Sequence, residues 1–230
     1  MSDWDPQWFE QTIAQREVRV WRGVESQYAV ATMRLVDSLE EQELLEQLLE
    51  ESKPAIVKDR HYLLFTPFRY TPPHPHRFRP AHERGQWYGA VNQYAVCAEI
   101  AYWRHRFILD SASLLEEDLL TEHTLFQADV RGLSIDLMVA PWNQRRDLWT
   151  HGSDYKATQS LAAQAQEREV QWLLYESVRA PGEPCAVAFE ADALFEPPQG
   201  IDATRQSWHC KATRKKVMLT GGAGRFEWDF

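Results

Sequence analysis

The sequence predicts a single α+β domain with a mixed or antiparallel β core flanked by helices. The chain has 230 residues, enough for one domain with a substantial core. Strand-like segments outnumber helical ones and do not alternate with them regularly, which is typical of α+β rather than α/β proteins. No repeat, low-complexity tract or domain boundary is evident, so we expect residues 1–230 to form one domain.

The N-terminal third contains β-branched runs and one acidic helix. Residues 17–36 mix β-branched and aromatic side chains and predict a strand, a turn and a second strand. Ser38 and Glu41 match a capping box, and leucines at helical spacing follow, so residues 37–53 are predicted to form an acidic helical insertion. We expect its leucines to pack on the domain and its carboxylates to face solvent or a basic partner. The short apolar run 62–68 predicts another strand.

The remaining elements follow one another in an irregular order. Helical periodicity predicts helices over residues 93–107 and 155–169. The segments with strand character are 86–91, 124–130, 133–137, 170–178 and 186–189. Residues 207–230 end in alternating aromatic and charged side chains after a glycine-rich turn, which predicts C-terminal strands joined as a hairpin.

Composition limits the classes of function. The formal net charge of -9 argues against direct nucleic-acid binding, which favours a basic surface. No apolar run reaches the ~18 residues of a membrane span, and the acidic N-terminus is unlike a signal peptide. The three cysteines are widely spaced, which indicates neither a disulfide framework nor a zinc knuckle. We therefore expect a cytoplasmic protein without a metal or a membrane partner.

One proline-rich loop concentrates positive charge in this acidic chain. Residues 69–84, RYTPPHPHRFRPAHER, hold four arginines and three histidines against one acid. The planar fork of arginine suits bidentate recognition of phosphate or carboxylate. Arg69, Arg77 and Arg79 are therefore candidate anion contacts, the alternative being an ordinary solvated loop. The histidines match no metal-binding motif.

Three further residues are candidates for chemistry. Glu99 lies among apolar neighbours in AVCAEIAYW, where a buried carboxylate would need a partner, although it could instead occupy the wet face of an amphipathic helix. Arg22, in VWRGVESQ, is either an anion contact or half of a cross-strand ion pair. Ser177, in LLYESVR, lacks a G-x-S-x-G elbow, so we do not interpret it as an acylating nucleophile.

Taken together, these segments resemble the RES-domain family, named for an arginine, a glutamate and a serine. The resemblance runs through VWRGVESQ, RFRP, WYGAVNQYAVCAEIAYW, DYKATQ, LLYESVR and CAVAF, over about residues 18–190. It implies a fold similar to that of ADP-ribosyltransferases. It places Arg22 and Arg77 at the two family arginines, Tyr88 at the pocket tyrosine, Glu99 at the glutamate and Ser177 at the serine. Compact members read Arg-Trp-Asn-Pro where this chain has RFRP, which leaves the choice between Arg77 and Arg79 open.

The resemblance also implies a function. Family members include toxins that consume NAD+ by hydrolysis or phosphorolysis of the nicotinamide–ribose bond and that pair with a helix-turn-helix (Xre-type) antitoxin. NAD+ would be the substrate and no cofactor would be needed. Protein ADP-ribosylation and non-catalytic nucleotide binding remain alternatives, and a homo-oligomer also stays open.

The family roles can be translated into chemistry. Glu99 would stabilise the positive charge that develops on ribose as the bond breaks. Arg22 and Arg77, with Arg69 and Arg79 nearby, would hold the pyrophosphate. Tyr88 would stack on nicotinamide, and Ser177 would hydrogen-bond the ribose or the amide.

Overall fold

A computed structural model of the protein describes residues 4–26, 31–51, 60–222 and 224–230. The α-helices in this part of the chain are α1 (Gln7–Thr12), α2 (Leu39–Glu51), α3 (Tyr62–Phe65), α4 (Gln93–Leu109), α5 (Arg146–Trp149) and α6 (Lys156–Gln166). The strands are β1 (Ala14–Glu25), β2 (Trp87–Ala90), β3 (Leu119–Asp136), β4 (Trp172–Glu176), β5 (Pro184–Ala188), β6 (Leu194–Phe195), β7 (Gln206–Ala212), β8 (Lys216–Gly221) and β9 (Gly224–Asp229). None of these helices is long and apolar enough to cross a membrane.

The long strand β3 organises the sheet. On one edge it pairs antiparallel with the whole of β1, and on the other it pairs in turn with β7, β6 and β4. The order β1-β2-β5-β4 leads back to β3, so these five strands close into a ring, while β8 and β9 extend the sheet beyond β7. The sequence predicted two short strands within residues 124–137. They are continuous because Gly132 keeps its register with Arg16 and bridges the two halves.

Alternate residues of the ring strands face two separate cores. In β5, Ala186 and Ala188 join one core with Trp87 and Trp172, whereas Val187 faces the core under α4 and α6. Because side chains alternate along a strand, a strand covered on both faces is apolar at nearly every position. This explains the near-continuous apolar runs of β4 and β5.

Helix α4 carries the candidate glutamate across the sheet. Asn92 caps it by accepting a hydrogen bond from the backbone N–H of Ala95 at 2.8 Å. Its buried face, which includes Ala98 and Ala101, contacts β1, β2, β7, β8 and β9. Small alanines allow the helix to approach the strands closely. The face of the helix that carries Glu99 is therefore held at the edge of the core.

Two segments that the sequence predicted to be strands are not strands. Residues 62–68 form α3 and a 3₁₀ segment rather than a strand, because His61 caps the turn through Nδ1, which accepts from the N–H of Leu63 at 3.2 Å. Pro67 then starts the 3₁₀ segment, and proline suits a helical first turn but not a central strand. The second strand expected within residues 17–36 is instead a 3₁₀ segment at Ala31–Arg34, and residues 27–30 lie outside the described part of the chain.

The acidic helix α2 begins as its capping box predicts. The N–H of Glu41 donates to Ser38 Oγ at 3.1 Å, and the N–H of Asp37 donates to the Glu41 carboxylate at 2.9 Å. Its leucines do not pack as expected, since Leu44 and Leu48 are 56% and 53% exposed. The end of the predicted insertion, residues 52–53, lies outside the described residues.

Candidate active site

A cavity of about 510 Å³ opens between α4 and the strands β1 and β2. Arg22 from β1, Tyr88 from β2 and Glu99 from α4 all line it. Arg22 is far from the other two residues in the chain, and the closed ring of strands brings them together. The sequence had singled out all three as candidate site residues.

Glu99 is held by the serine that the sequence also singled out. Ser177 Oγ donates to Glu99 Oε1 at 3.0 Å, and it accepts from the N–H groups of Ala180 at 3.0 Å and Arg179 at 3.2 Å. Ser177 is 1% exposed and does not line the cavity. Its geometry is that of a positioning residue, because the turn after β4 fixes the hydroxyl and the hydroxyl fixes the carboxylate.

Burial raises the pKa of the Glu99 carboxyl above its ordinary value. The Ser177 hydroxyl and the positive charges of Arg179 and Arg77 oppose this shift, since each favours the ionised form. The net direction is upward, so desolvation dominates. A carboxylate that is poorly solvated responds strongly to a positive charge developing next to it.

Arg22 brings a positive charge that no described carboxylate neutralises by a direct ion pair. Its Nη1 donates to the carbonyl of Tyr88 at 3.0 Å, and its guanidinium lies 5.1 Å from the ring centroid of Trp87. Its Nε is buried and has no hydrogen-bond partner among the described residues. Burial lowers the pKa of Arg22 to about 10, so it remains a cation at neutral pH. An anion entering this cavity would find a partly desolvated cation with unused donor capacity.

The second candidate arginine, Arg77, donates its hydrogen bonds to backbone carbonyl groups. Its Nη1 donates to the carbonyls of Trp149 at 3.0 Å and His151 at 2.9 Å, and its guanidinium lies 5.1 Å from the Tyr155 ring centroid. It does not line the cavity. Its charge nevertheless lowers the pKa of Glu99, so it acts on the carboxylate at a distance.

Arg79 holds the proline-rich loop together. Its Nη1 donates to the carbonyls of Pro72, Pro80 and Glu83 at 3.2, 2.7 and 3.2 Å, and its Nη2 donates to that of His74 at 2.6 Å. Arg79 is 5% exposed, and neither it nor Arg69 lines the cavity. The guanidinium of Arg79 is therefore used by carbonyl groups of the loop itself.

Two aromatic residues of the cavity, Trp103 and Phe107, were not predicted from the sequence. Trp103 and Phe107 follow Glu99 at intervals of four residues on one face of α4, and they are 49% and 50% exposed. The sequence could have indicated this, because residues i, i+4 and i+8 of a helix share a face.

The hydroxyl of Tyr88 donates to Gln86 Oε1 at 2.8 Å, and burial raises the pKa of Tyr88. The Tyr88 ring is therefore held in place and remains neutral.

A charge pair also lines the cavity. Arg104 forms an ion pair with Glu25, and His123 lies beside them, with Nε2 3.0 Å from Thr121 Oγ1. Burial lowers the pKa of His123 to about 4, with a smaller contribution from Arg104. In the part of the chain that the structure describes, no group of three or more His, Cys, Asp or Glu residues could hold a metal ion.

The fold and this site define a mixed α/β domain with a buried carboxylate and an arginine facing one cavity. The family model described as the RES domain matches residues 53–211, and the chain belongs to that family. Arg77, Tyr88, Glu99 and Ser177 lie within the matched range, whereas Arg22 precedes it.

The fold is also similar to that of a solved structure. A chain in the crystal structure of the M. tuberculosis MbcT–MbcA toxin–antitoxin complex superposes with a TM-score of 0.51 and 14% sequence identity. The superposition covers 91% of this chain and 94% of that chain. At this identity the similarity shows a shared fold. A comparison with curated protein sequences finds no significant match.

Proposed function

We propose that this protein is an enzyme that cleaves the nicotinamide–ribose bond of NAD+, by hydrolysis or phosphorolysis, and that it acts as a toxin of a toxin–antitoxin pair. The observation that carries the proposal is the arrangement of Glu99, Arg22 and Tyr88 around one cavity. A carboxylate suits a developing ribose cation, an unpaired arginine suits a pyrophosphate, and a fixed neutral aromatic ring suits nicotinamide.

The reaction needs little from the protein beyond electrostatics. The C–N bond breaks with both electrons leaving on nicotinamide, which departs neutral, so no strong general acid is required. Positive charge passes to the ribose and is stabilised by the Glu99 carboxylate. Water then attacks the ribose carbon and releases a proton, giving ADP-ribose. If phosphate attacks instead, the product is ADP-ribose-1″-phosphate.

The arginines take different parts in this proposal. Arg22 is the cavity's own contact for the pyrophosphate, since its Nε lacks a described partner. Arg77 donates to two backbone carbonyls, so we assign it to favouring the ionised form of Glu99 and to positioning the segment 149–151. Ser177 orients Glu99 rather than touching the substrate.

Transfer of ADP-ribose to a protein is a second candidate. The half-exposed pair Trp103 and Phe107 at the cavity wall favours it, because exposed aromatic side chains beside an active site provide apolar contacts for a protein acceptor. Transferase and hydrolase would share the same Glu99 chemistry and differ only in the acceptor.

The partner is proposed from similarity of fold. The related M. tuberculosis structure is a toxin–antitoxin complex, and a helix-turn-helix antitoxin of the Xre type is the partner that we propose here. If this is right, expression of the protein alone depletes cellular NAD+ and stops growth, and co-expression of the antitoxin restores growth. Normal growth at high levels of folded protein would contradict the toxin assignment.

One experiment tests the activity and separates the candidates. The protein is incubated with NAD+, with and without phosphate and with and without cell lysate, and products are identified by mass spectrometry. Free ADP-ribose indicates hydrolysis, ADP-ribose-1″-phosphate indicates phosphorolysis, and a labelled protein indicates transfer. Binding of NAD+ without any product would contradict the catalytic proposal, and the Glu99→Gln variant is the matched inactive control.

A further inference from the structure

The loop that Arg79 organises places one imidazole in the cavity. His76 lines the same cavity as Glu99, and its Nδ1 is buried without a hydrogen-bond partner among the described residues. Buried polar atoms in native proteins nearly always have a partner. A partnerless nitrogen beside a cavity is therefore a place where a ligand atom can complete a hydrogen bond.

Hydrogen bonds of the main chain hold His76 at the cavity, and its imidazole can turn to present Nδ1 to a ligand. The main-chain N–H of His76 donates to the carbonyl of Arg79 at 2.8 Å, and its carbonyl accepts from the N–H of Arg79 at 3.1 Å. The same carbonyl accepts from Gln159 Nε2 at 2.9 Å. The imidazole lies 4.5 Å from the Tyr88 ring and 6.1 Å from the Trp103 ring, measured between centroids. Three aromatic faces thus surround one end of the cavity.

The imidazole is neutral under ordinary conditions. Burial, together with the positive charges of Arg79, Arg77 and Arg22, lowers the pKa of His76 to about 4. A neutral imidazole has one nitrogen that donates and one that accepts a hydrogen bond. It also adds no positive charge that would repel a cationic pyridinium ring.

We propose that His76 is a specificity-determining residue that hydrogen-bonds the carboxamide of the nicotinamide ring and selects it over the carboxylate of the deamidated dinucleotide. This inference rests on the proposed function, because it concerns the same cavity. A carboxamide offers an N–H to the accepting nitrogen of the imidazole. An ionised carboxylate has no hydrogen to donate, so it gains no hydrogen bond from Nδ1 while the imidazole proton is on Nε2.

The test is a binding measurement in the Glu99→Gln background, where turnover does not interfere. NAD+ and nicotinic acid adenine dinucleotide are titrated by calorimetry into proteins carrying His76, His76→Phe or His76→Asn. Phenylalanine keeps an aromatic ring next to Tyr88 and Trp103 but removes both nitrogens. Asparagine places an amide close to the position of Nδ1.

We expect His76→Phe to weaken NAD+ binding about tenfold, the usual effect of losing one buried hydrogen bond, and to change binding of the deamidated dinucleotide less than about twofold. His76→Asn should recover most of the NAD+ affinity. If the phenylalanine variant does not fold, His76→Gln replaces it, since its amide extends beyond the Nδ1 position and should not restore binding.

The remaining outcomes separate the role of His76 from the proposed activity. If both dinucleotides lose affinity equally, or neither does, the role of His76 is wrong while the proposed activity stands. The proposed function itself fails if the protein that retains His76 binds NAD+ neither with Glu99 in place nor as the Glu99→Gln variant.

Discussion

Glu99 is buried and accepts a hydrogen bond from the Ser177 hydroxyl. The charge that its proposed role in catalysis requires therefore lowers the stability of the folded protein. Because burial raises the pKa of Glu99, the folded protein holds the Glu99 proton more tightly than the unfolded chain. The resulting stabilisation is complete below the pKa of the unfolded chain and is lost as pH rises through the raised pKa of the folded state. At neutral pH the ionised side chain therefore destabilises the fold.

Glu99→Gln should accordingly lower turnover and raise stability at once. The amide keeps an acceptor for Ser177 but loses the charge that the ribose cation needs, so we expect kcat to fall about 100-fold or more. The free energy of unfolding at pH 7 should increase, and the difference from the parent should shrink as pH falls. Urea unfolding at several pH values measures this. A variant that is both less active and less stable at pH 7 would contradict the assignment of burial as the dominant cause.

Ser177→Ala should shift the pH dependence of the reaction. The Ser177 hydroxyl lowers the pKa of Glu99, so its removal should raise that pKa further. We expect the acidic limb of the kcat/KM profile to move to higher pH. Ser134→Ala is a matched control, because Ser134 is also buried but its hydroxyl donates to the carbonyl of Ala14 rather than to Glu99. An unchanged acidic limb in Ser177→Ala would show that the 3.0 Å contact does not tune the carboxylate.

At the scale of elements, the proline-rich loop shows that an arginine can stabilise a loop even where a cluster of positive charge in the sequence indicates anion binding. Proline lacks an N–H, so a loop with four prolines has few donors for its own carbonyls. Arg79 supplies those donors to four carbonyl groups. The loop then holds His76 at the cavity.

Arg79→Lys should destabilise the protein although it conserves the charge. One ammonium group cannot reach carbonyls on several sides of the loop, so buried acceptors lose their partners, at a cost of about 3 kcal/mol or more. Arg84→Lys is the control, since Arg84 is exposed and, among the described residues, its Nε donates to the carbonyl of Phe68 alone, at 3.1 Å. Unchanged stability with lost NAD+ affinity in Arg79→Lys would instead identify Arg79 as the phosphate contact.

The same scale shows what the sequence could and could not predict. Helix α4 was predictable because its segment is long, rich in apolar residues and free of glycine and proline, and Glu99 stood out among those apolar residues. The run at 62–68 was misread because a short apolar segment does not distinguish strand from helix, and the cap at His61 decided it. The roles of Arg77 and Arg79 could not be read, because their partners are backbone carbonyls brought near only by the fold. His76 was missed for a related reason, since nothing local shows which histidine of a loop faces inward.

For the whole molecule, the closed ring of strands explains why distant polar groups become buried together. β3 carries His123 into the wall of the cavity, and α4 brings Arg104 next to it. Burial is the larger cause of the lowered pKa of His123, and the Arg104 charge adds to it. A histidine of this kind is neutral in the folded protein at a pH where the unfolded chain would be protonated.

This predicts a loss of stability in mild acid. The lowered pKa means that the unfolded chain binds more protons, so the His123 contribution is complete above about pH 6.5 and falls as pH decreases towards about 4. Its upper limit is of the order of 3 kcal/mol. Urea unfolding between pH 7 and pH 5 should show decreasing stability, with a smaller decrease in His123→Asn than in the parent. His74→Asn, at an exposed position of the loop, should keep the parental slope. If His123→Asn leaves the slope unchanged, protonation at the cavity wall does not limit stability in acid, and the loss would have to come from other groups.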